Sequence, residues 1–174
     1  MDITKIPHGD NAPHEINVII EIAAGSAPVK YEFDKESGAL FVDRFLTAAM
    51  FYPANYGFIP HTLSEDGDPA DVLVITQNPI TPGCVVAARP IGVLIMEDEK
   101  GVDEKIIAVP TDKIHPFSKD IKTLNDLPDI TLKQISHFFE RYKDLEENKW
   151  VKIQGYADIN RAHEIINSSI KSAA

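Results

Sequence analysis

The 174-residue sequence predicts a mainly β protein with flanking helices, an α+β chain whose barrel-like core is followed by two helices. Three observations carry this reading. Short β-branched or alternating segments fill the first two thirds of the chain, prolines punctuate the same region, and the hydrophobic period changes from two to about 3.6 after Pro128. Many short strands of this kind bury their apolar faces by closing into a compact barrel or sandwich.

Residues 16–22 form a β-branched run, residues 29–34 alternate, and residues 40–45 alternate again after the turn Lys35-Glu36-Ser37-Gly38. Residues 72–76, 85–96 and 105–109 continue the series. Pro53, Pro60, Pro69, Pro79, Pro82, Pro90 and Pro110 remove backbone donors and exclude long helices there. The stretch from Phe51 to Phe58 is rich in turn formers and reads as irregular. Beyond Pro128, Ile135, Phe138, Phe139, Tyr142 and Leu145 recur on one helical face, which predicts a helix ending near Asn148. Residues 150–156 suit a short strand, and Ala162, Ile165, Ile166 and Ile170 predict a second amphipathic helix.

A chain of this length is expected to form a single domain, residues 1–174, burying roughly 70% of its extended surface. Cys84 has no partner for an internal disulfide, and its apolar surroundings predict a buried thiol. The N-terminus lacks a basic patch followed by an apolar run, and no window approaches the roughly 18 apolar residues of a membrane span, so a cytoplasmic location is expected. The formal charge of −10 argues against a nucleic-acid surface or an anionic membrane as partner.

Asp66-Gly67-Asp68-Pro69-Ala70-Asp71 sets three carboxylates in six residues, in a loop that its glycine and proline keep out of helix and central strand. Such a segment is either a solvated acidic turn or a site of hard oxygen ligands for Mg²⁺ or Mn²⁺. It is not a calcium-binding EF-hand loop, because Ala70, Asp71 and Gln77 stand where that motif needs an acid or Asn, Gly and Glu. Glu97-Asp98-Glu99 and Asp103-Glu104 flank a charged hairpin connection. Asp103 and Lys105, two apart on a strand, share a face, as do Lys30 and Glu32 opposite Tyr31 and Phe33. Arg44, Tyr52, Tyr56, Tyr142 and Lys143 add cations and phenols that suit either core and surface roles or phosphate recognition.

Taken together, these residues resemble the family I soluble inorganic pyrophosphatases in their compact bacterial form. The signature loop of that family, D-x-D-P-x-D-V, is similar to Asp66-Gly67-Asp68-Pro69-Ala70-Asp71-Val72. Glu21, Lys30-Tyr31-Glu32, Arg44, the Tyr52 to Phe58 segment, Asp98, Asp103, Lys105 and Tyr142-Lys143 match in order, across residues 21 to 143. One departure is Ala70, where the family usually carries a larger aliphatic residue that packs the loop and ligates nothing. The resemblance implies an OB-like five-stranded barrel with two helices in the C-terminal region, and hydrolysis of pyrophosphate with Mg²⁺, for which Mn²⁺ or Zn²⁺ substitutes. It further implies Asp66, Asp71, Asp98 and Asp103 as metal ligands, with Asp71 bridging, and Asp68 as general base. Lys30, Arg44, Tyr56, Lys105, Tyr142 and Lys143 would contact phosphate, with Glu21, Glu32 and Tyr52 behind them. A homohexamer is the family's usual assembly.

Those types suit in-line attack of water on phosphorus, which needs an activated water and neutralised oxygens. The candidate site holds seven acids and four bases, so its formal charge of −3 becomes +1 with two Mg²⁺, which would make metal binding precede an anionic substrate. Two alternatives remain at this point: an OB-like nucleic-acid module, which would want a basic groove with stacking aromatics, and a metal- or phosphate-binding protein without turnover.

Overall fold

The computed structural model describes residues 2–64 and 67–173. Eight strands and two α-helices follow in the order β1 (Ile16–Ile22), β2 (Val29–Phe33), β3 (Leu40–Phe45), β4 (Asn55–Phe58), β5 (Asp71–Val74), β6 (Val85–Asp98), β7 (Gly101–Pro110), α1 (Asp129–Arg141), β8 (Val151–Ala157) and α2 (Ile159–Ala173). The main sheet runs β1-β4-β5-β7-β6-β8, and β1 also pairs with β6, so five strands close into a ring with β8 appended to its outer edge. All its pairs are antiparallel except β5 with β7. β2 and β3 form a separate hairpin beside β1.

Alternation along the ring strands feeds two cores. Leu73, Leu94 and Ile107 join Ile135, Phe138 and Phe139 of α1, whereas Val72, Val93 and Ile106 join Ala162, Ile165 and Ile166 of α2. Neighbours in sequence therefore face opposite sides, as a period of two requires. Phe138 contacts the Tyr52 and Tyr142 rings with centroids 4.8 and 5.4 Å away, and its truncation to Ala would cost about 3–5 kcal/mol.

The expected strands and the second helix are present, with three differences. The segment read as irregular contains β4, which joins β1 to β5 and is buried throughout. Asn55 anchors it: the side-chain oxygen accepts from Ala24 N at 3.0 Å and Ile80 N at 2.8 Å, and the amide donates to Val74 O at 3.0 Å and Thr76 Oγ1 at 2.7 Å. Its full satisfaction is what lets this amide lie in the core. Gly57 is needed because a Cβ there would come within 2.0 Å of Ile19 O on β1. The first helix stops at Arg141, short of Asn148, because the chain turns away through residues 142–148, and Leu145 is exposed rather than part of the apolar stripe. Cys84 is exposed, not buried, since it lies in the turn that precedes β6. Among the described residues no helix is long and apolar enough to cross a membrane.

Candidate active site

The parallel pairing of β5 with β7 sets Val72 opposite Ile106, which brings Asp71 alongside Lys105. Asp103 lies two residues before Lys105 on the same face. The Lys105 Nζ donates to Asp71 Oδ2 and Asp103 Oδ1, each at 2.5 Å, and sits 5.8 Å from the centre of the Tyr56 ring on β4. Burial alone would lower the pKa of this ammonium, but the two carboxylates outweigh it and raise it above the ordinary lysine value. Burial first, and then the charges of Asp71 and Asp103, push the Tyr56 hydroxyl well up. Tyr142 is raised too, chiefly by burial, so both phenols keep their protons at neutral pH and remain donors.

The hairpin between β6 and β7 pairs Asp98 with Gly101 and turns on Glu99 and Lys100. Lys100 N donates to Asp98 Oδ1 at 2.8 Å, and Lys143 Nζ donates to Asp98 Oδ2 at 2.7 Å. Burial opposes the charge on Asp98, but Lys143 and that backbone bond hold the carboxyl below its usual range. Glu99 lies 3.6 Å from Lys143 and 2.5 Å from Lys149; burial resists, yet the Lys149 hydrogen bond brings its pKa to about 2. Tyr142 and Lys143 follow the end of α1 rather than sitting in the helix, which lets both side chains turn toward β6 and β7.

The opposite wall is the β2–β3 hairpin. Lys30 pairs in register with Arg44, and this like-charge juxtaposition is eased by a Lys30–Glu32 ion pair and by Asp43 Oδ2, 3.3 Å from Lys30. Arg44 Nε is buried with no hydrogen-bond partner among the described residues. Glu21 joins this wall to the ring: it is buried on β1 and its Oε1 accepts from Phe33 N on β2 at 2.8 Å. Burial, reinforced by the charge of Asp71, pushes the Glu21 carboxyl up to about 8 against the effect of that hydrogen bond.

Twelve of the expected residues line one cleft: Glu21, Lys30, Glu32, Arg44, Tyr56, Asp68, Asp71, Asp98, Asp103, Lys105, Tyr142 and Lys143. Tyr52 does not line it; it is buried in the core, with its ring 6.2 Å from that of Tyr56. Asp66 lies outside the described residues. Lys35, Glu99, Lys100 and Lys149 also line the cleft without having been assigned there. Glu99 was legible in the charged hairpin connection, but Lys35, Lys100 and Lys149 carry no local signal beyond their charge.

The cleft lining now counts seven acids and seven bases among the described residues, so its formal charge is balanced rather than −3. Its cavity volume of about 180 Å³ suits a small polyanion and lies below the roughly 300–1,000 Å³ of pockets for larger organic ligands. No group of three potential metal ligands is assembled among the described residues. The donor set nevertheless suits a hard divalent ion: Asp71 and Asp103 already converge on one positive point, Asp98 lines the same cleft, and the described lining includes neither Cys nor His.

Fold and site together define a class: a ring-closed β protein with two helices, carrying a small cleft in which carboxylates and fixed cations alternate. The family model for inorganic pyrophosphatase matches residues 18–174. A Caulobacter vibrioides inorganic pyrophosphatase is 59% identical over 98% of this chain and 97% of its own. Among solved structures, the inorganic phosphatase from Anaplasma phagocytophilum superposes with a TM-score of 0.95 at 52% identity, covering 97% of this chain and 99% of the other. The Helicobacter pylori inorganic pyrophosphatase gives 0.93 at 50% identity over 97% and 98%. This chain belongs to the inorganic pyrophosphatase family, and its closed five-stranded ring with two helices is the OB-like fold of that family.

Proposed function

We propose that this protein hydrolyses inorganic pyrophosphate to two phosphates with the help of divalent ions, Mg²⁺ first among them and Mn²⁺ or Zn²⁺ as substitutes. The observation that carries the reading is the cleft around Lys105, where Asp71 and Asp103 converge on one positive point and the lining's charges balance, so that added divalent ions would make it net positive toward an anionic substrate. Asp71, Asp98 and Asp103, with Asp66, would hold the ions. When bound, these would supply Lewis-acid charge that makes the attacking water more acidic and neutralises phosphoryl oxygens.

The chain's own residues supply the remainder. Asp68, exposed at the cleft and next to the ligand positions in sequence, takes a proton from the water as its oxygen bonds to phosphorus. The bridging P–O bond breaks, and of the two protons of water one ends on each phosphate product. Lys30, Arg44, Lys105 and Lys143, with the protonated phenols of Tyr56 and Tyr142, bind the phosphoryl oxygens and spread the charge that the leaving phosphate gains. The unpartnered Nε of Arg44 is a donor suited to such an oxygen. Glu21 and Glu32 keep the hairpin cations in place through the Phe33 amide and the Lys30 ammonium. Tyr52 supports Tyr56 from the core rather than meeting the substrate.

Residues 1–174 are read as one catalytic domain working in the cytoplasm, and assembly into a homohexamer rests on the family resemblance, which sizing by light scattering tests. The activity is tested by phosphate release from pyrophosphate with Mg²⁺, repeated after chelation. Release that depends on metal is expected; wild-type protein releasing no phosphate above background with Mg²⁺ would overturn the proposal.

A further inference from the structure

The acidic loop leaves the ring after β4 and returns at β5, and one buried hydroxyl joins its two feet. Thr62 Oγ1 donates to Ile59 O at 2.6 Å and accepts from Ala70 N at 2.9 Å. Ala70 is held a second time, because its carbonyl accepts from Ile59 N at 3.0 Å. Both polar groups of the residue just before Asp71 are thus tied to the turn from Ile59 to Thr62 that follows β4. Thr62 is 6% exposed and Ala70 2%, so water does not compete for these bonds.

Two further observations show that the chain is directed into this arrangement. His61 adopts φ +56°, a left-handed conformation that a non-glycine residue keeps only where its surroundings over-determine it. It turns the backbone so that Thr62 can reach back to Ile59. Beyond Thr62, Leu63 N donates to Ser169 O of α2 at 2.9 Å, and Ser64 N donates to Asp68 O at 2.8 Å. The loop is therefore stitched to its own start, to its own middle and to α2, while Asp68 and Asp71 present their carboxylates to the cleft.

We propose that Thr62 is a positioning residue for divalent-ion binding: its hydroxyl, bonded to Ile59 and Ala70 at once, sets the height at which Asp71 enters the cleft. The chemistry does not require Thr62 to touch substrate or metal. Ala70 has only a methyl group to pack with, so backbone bonds rather than side-chain volume hold the loop at this point. The inference rests on the metal-dependent reading above, but its readout is metal affinity rather than turnover.

The test compares full-length wild type, Thr62→Val and Thr62→Ser by calorimetric titration with Mn²⁺ in the absence of pyrophosphate, with thermal midpoints recorded alongside. Thr62→Val keeps shape and removes both bonds, and is expected to weaken Mn²⁺ binding by roughly tenfold, at the lower end of what outer partners of metal ligands contribute. Thr62→Ser restores the hydroxyl and is expected to stay within about twofold of wild type by the same reasoning. If Thr62→Val does not fold, Thr62→Ala, which removes the same hydroxyl, is expected to show the same weakening. Unchanged Mn²⁺ affinity in the folded valine or alanine variant, with only the thermal midpoint lowered, would overturn the proposal. So would a serine variant that binds as poorly as valine, or wild type that binds no Mn²⁺. Absence of pyrophosphate hydrolysis by a wild type that binds Mn²⁺ would instead remove the functional reading and leave the role of Thr62 to these affinities.

Discussion

The two walls of the cleft are built differently. On the ring side, Lys105, Asp71 and Asp103 extend from β5 and β7, and the ammonium is buried and fixed by two carboxylates. On the hairpin side, Lys30, Glu32, Asp43 and Arg44 stand on a two-stranded sheet that joins the ring mainly through β1, and their side chains are between 23% and 52% exposed. A buried, paired charge is preorganised but costly to disturb, whereas an exposed pair is weak and adjustable. On the proposed function, the ring wall would serve metal and reaction geometry and the hairpin wall adaptable binding of the anion.

The largest expected effect is on the ring. Lys105→Met leaves Asp71 and Asp103 facing each other without their cation, so kcat should fall roughly 10²–10³-fold. The thermal midpoint of the chelated protein should fall as well and recover when Mg²⁺ is added; a melting curve unaffected by Mg²⁺ would contradict the exchange of one positive charge for another. On the hairpin, Arg44→Met should cost about 10–100-fold in kcat/KM, much of it in KM, because one charged donor to the substrate is lost. Its thermal midpoint should stay near that of wild type. A large loss of stability there would show the hairpin to be as rigid as the ring.

Glu21, which connects the walls, makes a pH prediction. Its folded pKa of about 8 lies above the ordinary 4.5, so the folded protein holds a proton that the unfolded chain releases between those values. The folded state binds more protons in this window, and stability therefore falls as pH rises from about 4.5 to 8. In chelated protein the thermal midpoint should drop by roughly 10 °C or more across that range beyond any drop in Glu21→Gln. Equal slopes would show that Glu21 does not carry the proton. The smallest effect belongs to Glu32, whose side chain is 52% exposed: Glu32→Gln should change unfolding free energy in urea by less than about 1 kcal/mol. A larger change would erase the contrast between the walls.

Sequence periodicity revealed most of the ring, because β1, β5, β6 and β7 are apolar enough to read as strands, and α2 follows a clean helical stripe. β4 was hidden because Asn55-Tyr56-Gly57-Phe58 looks like a turn. Its strand character comes from tertiary demands: a buried amide with four partners, and a glycine that admits the backbone of β1. The end of α1 was misjudged because Tyr142 continues the apolar stripe while serving the cleft, and Leu145 mimics a further turn although it is exposed. Asp71, Asp103 and Lys105 were visible as local patterns. Lys149 was not, since its place beside Glu99 depends on the pairing of β6 with β8 across 50 residues.

The central claim is that the acidic loop divides its labour, with Asp71 holding metal and Asp68 moving a proton. Its most direct test is the Mg²⁺ dependence of phosphate release for wild type, Asp68→Asn and Asp71→Asn. Asp68→Asn should lose roughly 10²–10⁴-fold in kcat while half-saturating at nearly the wild-type Mg²⁺ concentration, and Asp71→Asn should shift that concentration strongly upward. An Asp68→Asn variant whose Mg²⁺ requirement rises as much as that of Asp71→Asn would make Asp68 a ligand and contradict the account.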